Sequence, residues 1–285
     1  MSKKDLLYKK TVIISGASGG IGFNVAKTLI EKYDCKIIGI ARNKEKIEKA
    51  IESIGDKKQN FTYRLFDVKD KENWKNFADE LLSEGITPDI LINNAGFMLP
   101  FTKIENLSLD EVDEIVKTNL TSYVYAIKSL LPLLKNSSHP AVFNVSSAAG
   151  LFPVVGESMY CATKYAVHGF TQSLAIDYRK KIYFGGVYPG FIKTDLFDRM
   201  GVKKNEMTFV NKFTMPVEKA AKKIVKGIYK RKKKIVIGFD GKFLNFMGKF
   251  CPRLGARLVA FVLRKSKLEL FDGVFKEQNK NSKND

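Results

Sequence analysis

Short β-branched runs alternate with helix-period segments along most of this chain, and that alternation constrains the fold more than any other feature. TVIIS (11–15) leads to a helix expected over 20–32, KIIGIA (36–41) to one over 44–54, and FTYRLF (61–66) to one over 71–84. DILIN (89–93) leads to one over 109–135, and AVFNVS (141–146) to one over 159–180, with IYFGGVY (182–188) after it. The strand runs are apolar almost without interruption, as expected when both faces of a strand are covered. Strand–helix alternation at this spacing predicts an α/β fold, a doubly wound parallel sheet in three layers, αβα. No linker or internal repeat interrupts the 285 residues, so we expect one domain over 1–285 with its core over 8–195. Beyond Pro189 the pattern weakens. Residues 191–215 read as a variable substrate lid, 216–230 as a helix, KKIVIGF as a last strand and 239–272 as a C-terminal helical extension.

The first strand runs into ISGASGGIG (14–22) and then into the first helix. Gly16, Gly20 and Gly22 allow a tight turn and close approach to a pyrophosphate, and the helix N-terminus supplies free N–H groups and a positive dipole end. In the first βα unit of a parallel sheet this predicts a dinucleotide site. Its G-x-x-x-G-x-G spacing differs from G-x-G-x-x-G. An acidic residue about 20 positions after the glycines would hold a ribose 2′-hydroxyl. That position holds Arg42. A guanidinium suits a 2′-phosphate, which favours NADP(H) over NAD(H). The competing reading is a solvated Arg42 with Glu45 taking its place.

SMYCATKYAVHGF (158–170) places Tyr160 and Lys164 four apart, hence on one helical face. A phenol ordinarily titrates near 10. An adjacent ammonium would favour the phenolate and make the pair an acid–base group nearer neutral pH. A buried tyrosine beside a snorkelling lysine is the structural alternative. Ser146 and Ser147 in NVSSAAG, and NNAG (93–96), fall at carboxyl ends of strands, where an open α/β sheet binds its ligands. Asn119 stands in an otherwise apolar helix, and YPGFIKT (188–194) ends the sixth strand.

These five ordered motifs resemble the short-chain dehydrogenase/reductase family over about residues 8–195, including the thirteen-residue spacing from Ser147 to Tyr160. The resemblance implies a Rossmann fold and an NADP(H)-dependent oxidoreductase acting on CH–OH groups. It implies that Tyr160 exchanges the proton with the carbonyl oxygen and that Lys164 tunes Tyr160 and holds the nicotinamide ribose. Ser147 would bind the substrate oxygen, and Asn119 would anchor a relay water. It further implies cofactor contacts from Gly16, Ser18, Gly20, Ile21, Gly22, Arg42, Asp67, Val68, Asn93, Ala95, Gly96, Pro189, Gly190, Ile192 and Thr194. Asn93 with its loop would shape the adenosine side, Asp67 would meet the adenine edge with Val68 beneath, and Ile192 and Thr194 would hold the carboxamide. Two departures stand out. Ser15 replaces the Thr often found before the first glycine, and the loop carries no basic residue. No metal is expected.

LFPVVGESM (151–159) and the stretch after Gly190 are rich in Leu, Phe, Val and Met, which suggests a largely apolar ketone or secondary alcohol: steroid-like, fatty-acyl or xenobiotic. A 3-oxoacyl carrier-protein reductase is the second enzyme reading, and a non-catalytic NADP-binding sensor or scaffold the third. The formal net charge of +19 comes from lysines spread along the whole chain, with no aromatic-interleaved basic stretch, so no nucleic-acid partner is expected. Three unpaired-looking cysteines, no apolar leader and no span of about 18 apolar residues suggest a cytoplasmic protein. Residues 242–265 interleave Phe and Leu with Lys and Arg. They read either as helices, broken near Pro252, packed on the body or a partner, or as a peripheral contact with an anionic membrane. Family resemblance implies a homodimer or tetramer through helices 109–135 and 159–180.

Overall fold

The structure, a computed structural model, describes residues 6–194 and 214–276. The strands are β1 (Thr11–Ser15), β2 (Lys36–Ala41), β3 (Phe61–Leu65), β4 (Ile90–Asn93), β5 (Ala141–Val145), β6 (Tyr183–Pro189), β7 (Ile192–Lys193), β8 (Met215–Pro216) and β9 (Lys234–Ile237). Seven of them, all parallel, form the central sheet in the order β3-β2-β1-β4-β5-β6-β9. The other two, β7 and β8, pair in a separate two-stranded ribbon.

Alternation along each strand explains the continuous apolar runs. Val12 and Ile14 enter one hydrophobic layer while Ile13 enters the other, and Ile90 and Ile92 oppose Leu91 in the same way. The first layer is covered by α1 (Gly20–Tyr33), α2 (Lys44–Glu52) and α7 (Val217–Tyr229), through Val25, Leu29, Ile47, Ile224 and Ile228. The second is covered by α3 (Lys71–Ser83), α5 (Ser122–Leu134) and α6 (Ser158–Asp177), through Trp74, Phe77, Ile127, Leu130 and Leu174.

The expected helix over 109–135 is α4 (Leu109–Val116) running through a π-helical turn (Lys117–Thr121) into α5. Ser108 and Glu111 form a capping box that starts it. The helix expected over 159–180 closes earlier, at Asp177. The C-terminal extension is α8 (Phe239–Phe250) and α9 (Pro252–Ser266), broken at the proline, then a short α10 (Asp272–Phe275). Of the expected lid, residues 195–213 lie outside the described residues.

The sheet reverses its direction of growth between β1 and β4. The loops leaving those two strands therefore diverge and open a crevice at the carboxyl rim, which is where this topology binds ligands.

Candidate active site

A cleft of about 620 Å³ follows that crevice. It runs from Ser18 and Arg42 at one end to Tyr160, Lys164 and Glu157 at the other. At the glycine end, Gly16 and Gly20 take φ of +67° and +52°, a region that favours glycine. A Cβ on Gly22 would overlap the Gly16 carbonyl oxygen, and one on Gly16 would sit 3.0 Å from the Ala95 Cα. The loop is therefore pressed onto the NNAG segment. Ser15 fixes this contact, because its hydroxyl accepts from the backbone N–H of Asn94 (3.0 Å) and of Ala95 (3.1 Å). Asn94 completes it by donating its side-chain amide to the Ser15 carbonyl at 3.0 Å. Helix α1 has no side-chain cap at Gly19 and no acid in its first turn, and Gly19, Gly20 and Ile21 at its start line the cleft.

Arg42, Asn43 and Lys46 line the cleft beyond β2, whereas Glu45 does not. Arg42 is exposed and 3.6 Å from the Asp67 carboxylate. Asp67 in turn accepts from the Lys69 backbone N–H at 3.0 Å. Val68 lies buried beside it at the cleft wall. Ser18, Ile21, Ala95, Gly96, Pro189, Gly190, Ile192 and Thr194 also line the cleft, and a Cβ on Gly20 would lie 3.6 Å from Thr194 Cγ2.

Asn93 does not line the cleft. Its side chain is fully buried, donating to Asn144 Oδ1 at 2.9 Å, and Asn144 donates to Thr171 Oγ1 at 2.9 Å. This polar ladder ties β4 to β5 and α6. Period-two alternation turns Asn93 inward and hands the cleft to its neighbour Asn94, which the motif spacing did not single out.

Asn119 occupies the π-turn and is fully buried. Its Oδ1 accepts from the Phe97 N–H, and its Nδ2 donates to the Phe97 carbonyl, both at 2.9 Å. Nδ2 also reaches Thr163 Oγ1 at 3.4 Å. The extra residue in the turn rotates a polar side chain into the core, where it clamps the segment after β4. A Cβ on Gly96 would lie 3.0 Å from Asn119 Oδ1 and 3.3 Å from Lys164 Nζ, so Gly96 leaves room for both groups.

Tyr160 and Lys164 sit one turn apart on α6. Lys164 is buried and donates from Nζ to the Val145 carbonyl at 3.1 Å, an oxygen that also accepts from Tyr123. Its backbone carbonyl accepts from Ser146 Oγ at 2.8 Å. Gly150 permits this approach, because a Cβ there would overlap both Ser146 Oγ and the Lys164 carbonyl. Ser147 caps the short turn over Ala148–Gly150 and hydrogen-bonds the Tyr160 hydroxyl.

From spacing alone, the ammonium is expected to pull the phenol down. Burial dominates instead. It pushes Tyr160 well above its ordinary value, with Ser147 working the other way, and it lowers Lys164 to about 7.

Glu157, three residues before Tyr160, is the unexpected member. It lines the cleft and is only 3% exposed, and its Oε1 has no hydrogen-bond partner among the described residues. Burial raises its carboxyl to about 8. The apolar character read for 151–159 is thus only partly correct. Val154 faces the cleft with Phe97, Met98, Phe101 and Leu244, while Phe152 turns away to pack on Leu244 and Met247 of the extension.

The short chain dehydrogenase family profile matches residues 10–205. The chain is a member of the short chain dehydrogenase family. It shares 32% identity over 190 residues with the NADP-dependent 3-hydroxy acid dehydrogenase of Schizosaccharomyces pombe, covering 65% of this chain and 73% of that protein. It shares 30% identity with the 3-oxoacyl-(acyl-carrier-protein) reductase FabG of Rickettsia conorii, covering 70% of this chain and 80% of that one. Among solved structures, ElxO with NADP bound superposes at a TM-score of 0.68 with 26% identity, over 76% of this chain and 90% of that one. The ligand-free aldohexose dehydrogenase of Thermoplasma acidophilum gives 0.67 with 26% identity, over 78% and 88%. Within a short chain dehydrogenase, this cleft joins an uncapped helix N-terminus to a serine–tyrosine–lysine cluster, the layout of a site for hydroxyl and carbonyl redox chemistry.

Proposed function

We propose that the chain is an NADP(H)-dependent ketone reductase, or secondary-alcohol dehydrogenase, for a largely apolar substrate. The observation that carries this reading is a single cleft holding the glycine loop, Arg42 and the Ser147–Tyr160–Lys164 cluster. The donor set fits the cofactor. The α1 N-terminus suits the pyrophosphate, and Arg42 and Lys46, both on the cleft wall, would hold a 2′-phosphate. NADP(H), when bound, supplies or accepts the hydride. Tyr160 delivers the proton to the substrate oxygen, and Ser147 orients that oxygen and stabilises charge developing on it. Lys164, seated on the Val145 carbonyl, would hold the ribose and pass a proton from solvent back to the Tyr160 phenolate, which restores the donor. Asn119 keeps the strand-β4 loop and Gly96 in place, so the space beside Lys164 Nζ stays open for a relay water.

Phe97, Met98, Phe101, Val154 and Leu244 form apolar walls around the substrate end. Glu157 adds one hydrogen-bonding group, which favours a hydrophobic carbonyl compound bearing a hydroxyl or amine. A 3-oxoacyl substrate is the second reading, favoured by the FabG relative. Against it, Phe271 and Val274 of the extension pack on Phe101, and a Cβ on Gly156 would overlap Val274, so the region where a long carrier arm would enter is narrowed. Exposed Leu109, Tyr165 and Ile176 on α4 and α6 support a homo-oligomer through these helices.

The test is consumption of NADPH, with NADH alongside, over steroid-like, 3-oxoacyl and small aromatic ketones, each with and without a nearby hydroxyl. Tyr160→Phe is the control. Turnover with NADPH that vanishes in the variant supports the reading. Tight NADPH binding without turnover on any arm would move the assignment to a sensor.

A further inference from the structure

We infer that α8 and α9 form a docking surface for an anionic lipid bilayer. In α8, Phe239, Phe243, Phe246 and Phe250 recur at i, i+4, i+7 and i+11, which places them on one face, and all four are exposed. In α9, Leu254, Leu258, Phe261 and Val262 repeat the pattern and are exposed as well. The opposite faces are the ones that meet the body. Leu244 and Met247 of α8, and Ala256 and Val259 of α9, cluster on Ala148 and Phe152. A Cβ on Gly255 would lie 3.1 Å from the Phe152 ring, so both helices press inward on the same side chain. Both apolar stripes therefore face away from the body. Eight large apolar side chains on one helical hairpin exceed the scattered exposure normal for a protein surface.

Charge selects the occupant. Residues 241–268 hold seven Lys or Arg and no Asp or Glu. The nearby Asp240 is engaged, accepting from the Phe191 backbone N–H. By helical spacing, Lys242 and Lys249 flank the α8 stripe, and Arg253, Arg257 and Arg264 flank that of α9; all five are exposed. An apolar stripe with basic flanks lies at the headgroup–acyl boundary of an anionic bilayer, with its cations on the phosphates. A second copy of the chain seated on this face would bring like charges together around the apolar contact. None of the described helices is long and apolar enough to cross a membrane, so the contact is peripheral. Leu244 and Asp240 belong both to α8 and to the cleft wall, which sets the surface beside the substrate end of the site.

The experiment is flotation of the full chain with vesicles of phosphatidylcholine alone, or with a third of the lipid replaced by phosphatidylserine. Binding to the anionic vesicles is expected to be about tenfold tighter or more, and to weaken with salt. Combined Phe246→Ser, Phe250→Ser and Leu258→Ser substitutions are expected to reduce it by more than about tenfold. Melting temperature and NADPH binding, read by fluorescence, should be retained, which separates lost docking from lost folding. Absence of flotation with anionic vesicles, or equal flotation of wild type and variant, would overturn the inference. So would a dimer in light scattering that the same substitutions dissociate, because the face would then belong to a second copy. None of these readouts requires a known substrate.

Discussion

Glu157→Gln isolates the least expected group in the site. The side chain is buried and Oε1 is unpartnered among the described residues, and burial moves the carboxyl from its ordinary 4.5 to about 8. Between those values the folded protein holds a proton that the unfolded chain has released, so stability falls as pH rises. Each factor of ten in the proton-binding constant is worth about 1.4 kcal/mol, so ionised Glu157 costs on the order of 5 kcal/mol above pH 9, about 3 at pH 7 and under about 1 at pH 5. Glutamine has nearly the same shape and does not titrate. It still leaves a buried polar atom without a partner, at a cost of about 1–3 kcal/mol that is the same at every pH. The measurement is thermal unfolding of wild type and variant from pH 5 to 9, taken as the difference between the two. Other titrating groups, Lys164 among them, cancel in that difference. The variant should gain roughly 4 kcal/mol on wild type across the range, or about 8 °C at about 2 °C per kcal/mol for a chain of this size. A difference that stays flat with pH would show that the carboxyl titrates normally and is not buried alone.

Tyr160→Phe should lower turnover by about 10²- to 10⁴-fold while NADPH binding, read by fluorescence, changes little. Arg42→Ala should weaken NADPH binding about tenfold to a hundredfold and leave NADH binding nearly unchanged, because only the former carries the 2′-phosphate. Equal loss for both cofactors would remove Arg42 from that role. Gly22→Ala forces a Cβ onto the Gly16 carbonyl oxygen, so calorimetry should show a destabilisation of about 1–3 kcal/mol with loss of cofactor binding. Lys164 works in the opposite pH sense to Glu157. Its folded value near 7 lies below its ordinary 10.5, so wild-type stability relative to Lys164→Met should rise with pH between those values.

Sequence alone determined the layers of this protein. Val12, Ile13 and Ile14 are each apolar because a parallel strand buries both faces, and that continuity by itself marks the sheet. The glycine loop, Arg42, Ser147, Tyr160 and Lys164 were legible for a related reason: each lies within a few residues of a strand end or on a single helix, where local spacing fixes direction. Tertiary structure decided what depends on groups far apart in sequence. Asn93 and Asn94 are adjacent and chemically identical; alternation turns them apart, and the pairing of β4 with β5 decides which one enters the core and which meets the glycine loop. The titration of Tyr160 and Lys164 turned on burial, which no four-residue spacing contains, and it reversed the direction expected for the phenol. Glu157 gave no signal in the sequence, since a carboxylate before a helix ordinarily reads as a solvated cap. Its significance arises because the packing around it removes water and, among the described residues, leaves Oε1 without a partner.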